Sequence, residues 1–203
     1  PWRIMTSTSA NSEHRMEKVI IFSAPSGAGK STVVRHLLGL HPEFEFSISC
    51  TSRLPRGEER DGVEYYFIKP EKFRELIDTD SFVEYEEVYR DKFYGTLKSE
   101  VKRIWSKGNV IVFDVDVKGG VNLKKYFGDK ALSILICPPS LDVLKERLTG
   151  RGTDSPEAIA ERLAKASSEL EYASGRFDAE LVNDRLEDTL AKAEALVNGF
   201  LAK

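Results

Sequence analysis

From Ala24 the chain reads Ala24-Pro25-Ser26-Gly27-Ala28-Gly29-Lys30-Ser31-Thr32. Two glycines, a lysine and two hydroxyls in this order suit the cradling of a polyphosphate. Glycine at 27 and 29 lets the main chain approach an anion with no Cβ in the way. The N–H groups of such a loop, and of a helix starting behind it, point at phosphate oxygens. Lys30 then reaches the β- and γ-phosphates of a nucleoside triphosphate, and the Ser31 hydroxyl can ligate Mg²⁺. A phosphate-binding loop (P-loop) usually opens on glycine where this chain has Ala24, which is tolerable if that residue keeps a negative φ. The metal needs an acidic partner at the end of a neighbouring buried strand. Asp114 stands there, after Val110 to Phe113, with Asp116 two residues on, a spacing that faces both carboxylates to one side of a strand.

Two arginine groups offer further anion contacts. Arg53 and Arg56 stand three apart in a loop with Pro55 and Gly57, and their guanidinium forks could converge on one phosphate. By themselves they read more readily as solvated surface charge. Arg147 and Arg151, four apart, share a helix face if the helix continues to Gly152, and Arg162 falls on the next helix.

The elements that must carry these residues follow an α/β rhythm. Val19 to Phe22, Val110 to Phe113 and Leu132 to Ile136 are apolar runs of the kind buried on both faces of a parallel sheet. Helices are expected over Ser31 to Leu40, over Leu97 to Lys107 closing on Gly108, and on the Leu141, Leu144, Leu148 face. A last helix follows Glu180 to Val182, opening on Asp184 with Glu187 in a capping-box arrangement. Strands alternating with helices imply a parallel sheet covered on both sides. Two segments break the rhythm. Phe44 to Tyr94 alternates polar and apolar residues around one short helix near Glu71 to Thr79, as in a small mixed or antiparallel lobe. Arg147 to Ser168 is charged, with Gly150 and Gly152 as breaks and Ser155-Pro156 starting a helix, as in a mobile flap.

Composition excludes several classes. The chain has 203 residues, 41% hydrophobic and 31% charged, with net charge −3, so it lacks the polybasic surface for sequence-independent nucleic-acid binding. No apolar stretch is long enough to span a membrane. Cys50 and Cys137 read as two reduced thiols of a cytoplasmic protein, and His14, His36 and His41 lack metal-ligand spacing. Pro1 to Arg15 is polar and lacks the apolar core of a signal peptide; it is expected to be disordered, in part an expression remnant, with Met5 and Met16 both possible native starts.

From about Lys18 to its end, the chain resembles the guanylate kinases, a nucleoside monophosphate kinase family of the P-loop fold. The resemblance rests on SAPSGAGKST at 23–32, TSRLPRGEERDGVEYYF at 51–67, FVEY at 82–85, FYGT at 93–96, FDVDVKGG at 113–120, RLTGRGTDS at 147–155 and LVND at 181–184. It implies a three-layer α/β fold with a central parallel sheet, a small GMP-binding lobe and a helical lid. The implied division is an extension over 1–17, a core of 18–48, 97–146 and 169–203, a GMP lobe over 49–96 and a lid over 147–168. The implied reaction is Mg²⁺-dependent transfer of the ATP γ-phosphoryl group to GMP, and to dGMP as well, in purine nucleotide metabolism. The resemblance assigns Arg53, Arg56, Tyr65 and Tyr94 to the GMP phosphate, and Ser49, Glu84, Thr96 and Asp116 to the guanine. Thr96 stands where the family often has serine. Arg147, Arg151 and Arg162 are implied over the triphosphate, with Arg53 and Lys30 in catalysis and Asn183 near the adenine. Guanine's N1–H and exocyclic amine are adjacent donors that one carboxylate such as Glu84 accepts together; adenine lacks that pair. Two other readings stand beside this one: a kinase-like binding module that has lost catalysis, against which Lys30, Ser31, Asp114 and the flap arginines argue, and a kinase for another monophosphate. Oligomeric state is open.

Overall fold

The computed structural model of the chain describes residues 17–203. The expected N-terminal extension, with His14, Met5 and Met16, lies outside the described residues except for Glu17, which pairs with Lys130.

Five parallel strands form the central sheet in the order β2-β7-β1-β8-β9. They are β1 (Val19–Ser23), β2 (Phe44–Phe46), β7 (Val110–Val115), β8 (Ala131–Cys137) and β9 (Ala179–Val182). Every residue of β1 is buried, because alternate side chains enter two different cores. Ile20, Phe22, Val112, Ile134 and Ile136 face α1 (Lys30–Leu40) and α7 (Leu186–Leu201), meeting Val33, Val34, Leu37, Ala193 and Val197. Val19, Ile21, Ile111 and Phe113 face α3 (Lys98–Ser106) and α4 (Val117–Phe127), meeting Val101, Ile104, Leu123 and Phe127. Uninterrupted apolar strands are thus the signature of a sheet with helices on both sides.

A second sheet, ordered β4-β3-β6-β5, builds the small lobe. It comprises β3 (Cys50–Thr51), β4 (Tyr66–Phe67), β5 (Phe82–Tyr89) and β6 (Lys92–Leu97), with α2 (Pro70–Asp78) against it. The sheet is mixed: β3 runs parallel to β4 and antiparallel to β6. Phe73 anchors the lobe, stacked at 4.3 Å on Phe82 and 5.0 Å on Phe93. Such pairs add about 0.5–1.5 kcal/mol each beyond area burial.

The flap is helical. In α5 (Leu141–Gly150) the Ser140 side chain caps the N-terminus, and in α6 (Pro156–Ala173) Ser155 caps it, accepting the Ala158 N–H at 3.2 Å. Leu144 and Leu148 pack on Ile159 and Ala166, giving the two helices a core of their own. The far end of α6 joins the main body, where Ala173 packs on Val117 and Leu135. The 147–168 span therefore begins inside α5 and ends inside α6.

Two local expectations are corrected. The last helix does not open on Asp184. Its N-cap is Arg185, without a side-chain cap, because the Asn183 N–H still donates to the Cys137 carbonyl and extends the sheet ladder past Val182. Asp116 does not share a strand face with Asp114. β7 stops at Val115, and Asp116 turns to cap α4, accepting the Gly119 N–H at 2.7 Å.

Candidate functional site

Because all five main-sheet strands run parallel, their carboxyl ends share one edge, where the loop after β1, Asp114 and Asp116 at the end of β7 and Asn183 after β9 lie. The loop from Ala24 to Gly29 leaves β1 and enters α1. Gly27 and Gly29 hold φ of 90° and 96°, a region closed to most side chains. A Cβ on Gly29 would also collide with the Asn183 amide. Ala24 is buried in the core, and among the described non-glycine residues only Asp80 and Asp91 have positive φ, so Ala24 meets the condition its substitution set. The N-terminus of α1 has no side-chain cap and no acidic residue in its first turn. Its N–H groups and the positive end of its dipole thus face outward, beside the exposed Ser31 and Thr32.

Lys30 pairs with Asp114, and its ammonium also donates to the Val115 carbonyl at 3.3 Å. The neighbouring β-strand therefore presents its carboxylate to the loop lysine. The hydroxyl of Ser31 and the carboxylate of Asp114 are hard oxygen donors, a set that suits Mg²⁺, which takes one or two protein ligands and keeps water and phosphate for the rest.

The flap arginines differ in how closely they approach the loop. Arg162 donates to the Ser26 hydroxyl at 3.3 Å and pairs with Asp154 at 3.3 Å. Arg147 donates to the Asn183 carbonyl at 2.7 Å, while the Asn183 amide donates to the Ala28 carbonyl at 2.9 Å. Asn183 is buried and so ties Arg147 to the underside of the loop. Arg151 is exposed at the C-cap of α5.

In the small lobe Arg53 is buried, whereas Arg56 is exposed. The Arg53 guanidinium lies 4.9 Å from the Tyr65 ring centre and donates through Nε to the Tyr94 hydroxyl at 3.1 Å. Tyr65 and Tyr94 meet edge to face at 6.1 Å. Arg53, Tyr65 and Tyr94 thus form one cluster. Glu84 on β5 accepts the Thr96 hydroxyl at 2.9 Å across the hairpin. Burial pushes the Glu84 carboxyl above the ordinary carboxylate range, the Thr96 hydrogen bond opposes this, and the negative charge of Asp116 adds to it. Glu84 therefore lies within electrostatic reach of Asp116 of the main body. Ser49 is half-buried in the irregular segment that leads into β3, with its carbonyl accepting the Tyr66 N–H at 2.9 Å.

Three residues here escaped the sequence reading. Glu59 holds Arg53 in a two-point ion pair at 2.6 and 2.8 Å; the three-residue spacing Arg53, Arg56, Glu59 was the available signal. Glu169 on α6 is pushed up by burial, with the charges of Lys165, Asp116 and Lys30 acting on it, which brings it to the same edge. Glu100 on α3 accepts the Ile48 N–H and the Tyr66 hydroxyl, both at 2.9 Å, joining the small lobe to the main body. Nothing in a lone helical glutamate marks either of the last two.

A family model described as guanylate kinase matches residues 16–199. A guanylate kinase of Bacteroides fragilis is 54% identical over 184 residues, covering 91% of this chain and 90% of its own length. That of Porphyromonas gingivalis is 54% identical over 189 residues, covering 93% of this chain and all of its own. Among solved structures, guanylate kinase from Anaplasma phagocytophilum superposes with a TM-score of 0.66 at 25% identity, over 92% of this chain and 87% of that one.

Proposed function

The chain belongs to the guanylate kinase family, and from that premise we propose how its own residues divide the transfer of a phosphoryl group from ATP to GMP. The activity is that of an ATP:GMP phosphotransferase yielding ADP and GDP. The triphosphate sits on the loop from Ala24 to Thr32, with Lys30 on its β- and γ-phosphates. Arg147, Arg151 and Arg162 close over it, and Asn183 borders the adenine side. GMP, or dGMP, occupies the small lobe, its phosphate on Arg53, Arg56, Tyr65 and Tyr94 and its base read by Ser49, Glu84, Thr96 and Asp116. The domain reading follows the same lines: 49–96 as the monophosphate lobe, 147–168 as the lid and the remainder from 18 onward as the core. The two free cysteines support a reducing, cytoplasmic setting.

One observation carries this assignment of sites. Two separate cations, Lys30 at the start of α1 beside the main sheet and Arg53 buried in the small lobe, are accompanied by a partly buried carboxylate, Glu84, in the same lobe as Arg53. A partly buried carboxylate whose pKa is raised by burial is poorly solvated and gains from a ligand that brings two donors. Guanine does so. Adenine would leave it unpaired, a difference of the kind that separates substrates by several orders of magnitude.

The incoming phosphate of GMP is already an anionic nucleophile, so no general base is required. Lys30 and the arginines bring donor and acceptor phosphates into line and neutralise charge on the moving group. Mg²⁺, held by Ser31 and through water by Asp114, supplies charge neutralisation on the phosphate oxygens when bound. Lid and lobe exclude water that would otherwise hydrolyse ATP. An ADP-release assay with ATP against GMP, dGMP, AMP, CMP and UMP tests the pocket. Strong turnover is expected with GMP and dGMP only; comparable turnover with AMP refutes the guanine-reading role of Glu84.

A further inference from the structure

We propose that Glu59 is a positioning residue that aims Arg53 at the phosphate of the incoming monophosphate. The inference rests on the reading of Arg53 as a phosphate ligand.

A guanidinium has five N–H bonds in a fixed plane. In Arg53 the Nε–H goes to the Tyr94 hydroxyl at 3.1 Å. Nη1 donates to the Leu54 carbonyl at 3.0 Å and to Glu59 Oε2 at 2.6 Å, and Nη2 donates to Glu59 Oε1 at 2.8 Å. Glu59 therefore takes the end of the fork, both Nη atoms at once. One N–H remains, on Nη2, and it lies on the same edge as Nε. That edge is the one beside Tyr94. An oxygen placed there receives the Nη2 hydrogen, and it also receives the Tyr94 hydroxyl hydrogen, which is left free because Tyr94 accepts from Nε. The open edge of Arg53 thus coincides with another residue assigned to the same phosphate.

Glu59 is itself fixed rather than lodged in the site. Its Oε2 also accepts the Arg56 N–H at 2.8 Å, and its own N–H donates to the Arg56 carbonyl at 3.1 Å, closing a turn. The rings of Tyr65 and Phe67, 4.9 and 5.6 Å from the guanidinium, set the plane. These hydrogen bonds hold the Glu59 carboxyl down to about 2, so the clamp is charged throughout the working pH range. It also gives the buried Arg53 cation a charge partner within the protein itself. The division of labour follows. Arg53, neutralised by Glu59, gives direction; the exposed Arg56 gives uncompensated charge.

Steady-state kinetics of Glu59→Gln, Arg53→Gln and the double variant, with GMP and ATP each varied, decide the matter. Glu59→Gln is expected to raise KM for GMP at least tenfold and leave KM for ATP within twofold. Once Arg53 is gone, removing Glu59 adds nothing, so the double variant matches Arg53→Gln. Glu59→Asp keeps the charge but shortens the reach; it is expected to give an intermediate KM for GMP, and carries the test if the Gln variant does not fold. An unchanged or lower KM for GMP in the Glu59 variants, with Arg53→Gln impaired, overturns the proposal, the lower value marking Glu59 as an occupant that substrate must displace. Equal rises in both KM values overturn it in favour of a general structural role. If Arg53→Gln itself leaves KM for GMP unchanged, the underlying reading of Arg53 fails instead.

Discussion

In the proposed assignment Lys30 and Glu84 carry the chemistry of the two sites in different ways. Lys30 is partnered by Asp114 and stands where charge changes during transfer, so Lys30→Ala is expected to lower kcat by roughly 10²–10³-fold, the scale for losing one preorganised transition-state contact. GMP binding measured by calorimetry should persist, because the small lobe is untouched; near-normal kcat refutes the assignment. Glu84 must be ionised to accept both guanine donors, and burial raises its pKa above the ordinary 4.5. As pH falls through that raised value, KM for GMP is expected to climb while KM for ATP does not follow. Glu84→Gln should flatten the GMP profile at a uniformly high KM. The stability sign is opposite: with a folded pKa above the unfolded one, protonated Glu84 favours the folded state below 4.5, and this contribution is lost as pH rises through the folded pKa. The Glu84 motif was visible in the sequence. The resemblance already grouped Asp116 with it; what the sequence could not give is the electrostatic effect of Asp116 on Glu84, which depends on how a strand of one lobe faces a helix cap of the other.

The element with the largest structural consequence is α3, through Glu100. This side chain is almost fully buried and accepts the Ile48 N–H, the Tyr66 hydroxyl and Arg103 at 2.8 to 2.9 Å, while Arg103 also holds Glu45 of β2. Burial by itself would raise the Glu100 carboxyl, but hydrogen bonds from Arg103, Ile48 and Tyr66 outweigh it and the net pKa is lowered. Glu100 therefore stabilises the fold above its unfolded pKa of 4.5, and that contribution is lost as pH falls through the lower folded value. Glu100→Ala leaves buried donors unanswered and is expected to cost about 1–3 kcal/mol. In thermal unfolding this is a Tm lower by roughly 5 °C, for a chain of this size; an unchanged Tm refutes the role. Most elements were legible in advance. The apolar runs of β1, β7 and β8 and the Ser155-Pro156 start of α6 carry their signals locally. The start of α7 did not, because pairing of Asn183 with Cys137 on the neighbouring strand overrode the capping pattern at Asp184.

Across the whole molecule, the small lobe, the main sheet and the flap each have a core of their own, and under the proposed assignment each nucleotide is expected to stabilise the part that binds it. GMP at about a hundredfold its Kd should raise stability by about 2.7 kcal/mol, as should ATP by itself at the same excess. A thermal-shift experiment on Glu84→Gln should lose the GMP response and keep that of ATP. Loss of both would mean that the sites are not separate. The sequence by itself determined the loop, its lysine and hydroxyl and the α/β order. These depend on residue type and short spacing, which the local backbone reads directly. Only the tertiary structure decided which charges meet: Lys30 with Asp114, Arg162 with Ser26, Arg53 with Glu59, and Arg147 with a carbonyl beneath the loop. The reason is geometric. Three of these contacts join residues far apart in the chain, Arg147 and Asn183 by 36 positions and Arg162 and Ser26 by 136, with Lys30 and Asp114 between these extremes, and the fourth depends on the turn at Arg56 to Glu59 and the two aromatic rings that fix the guanidinium plane.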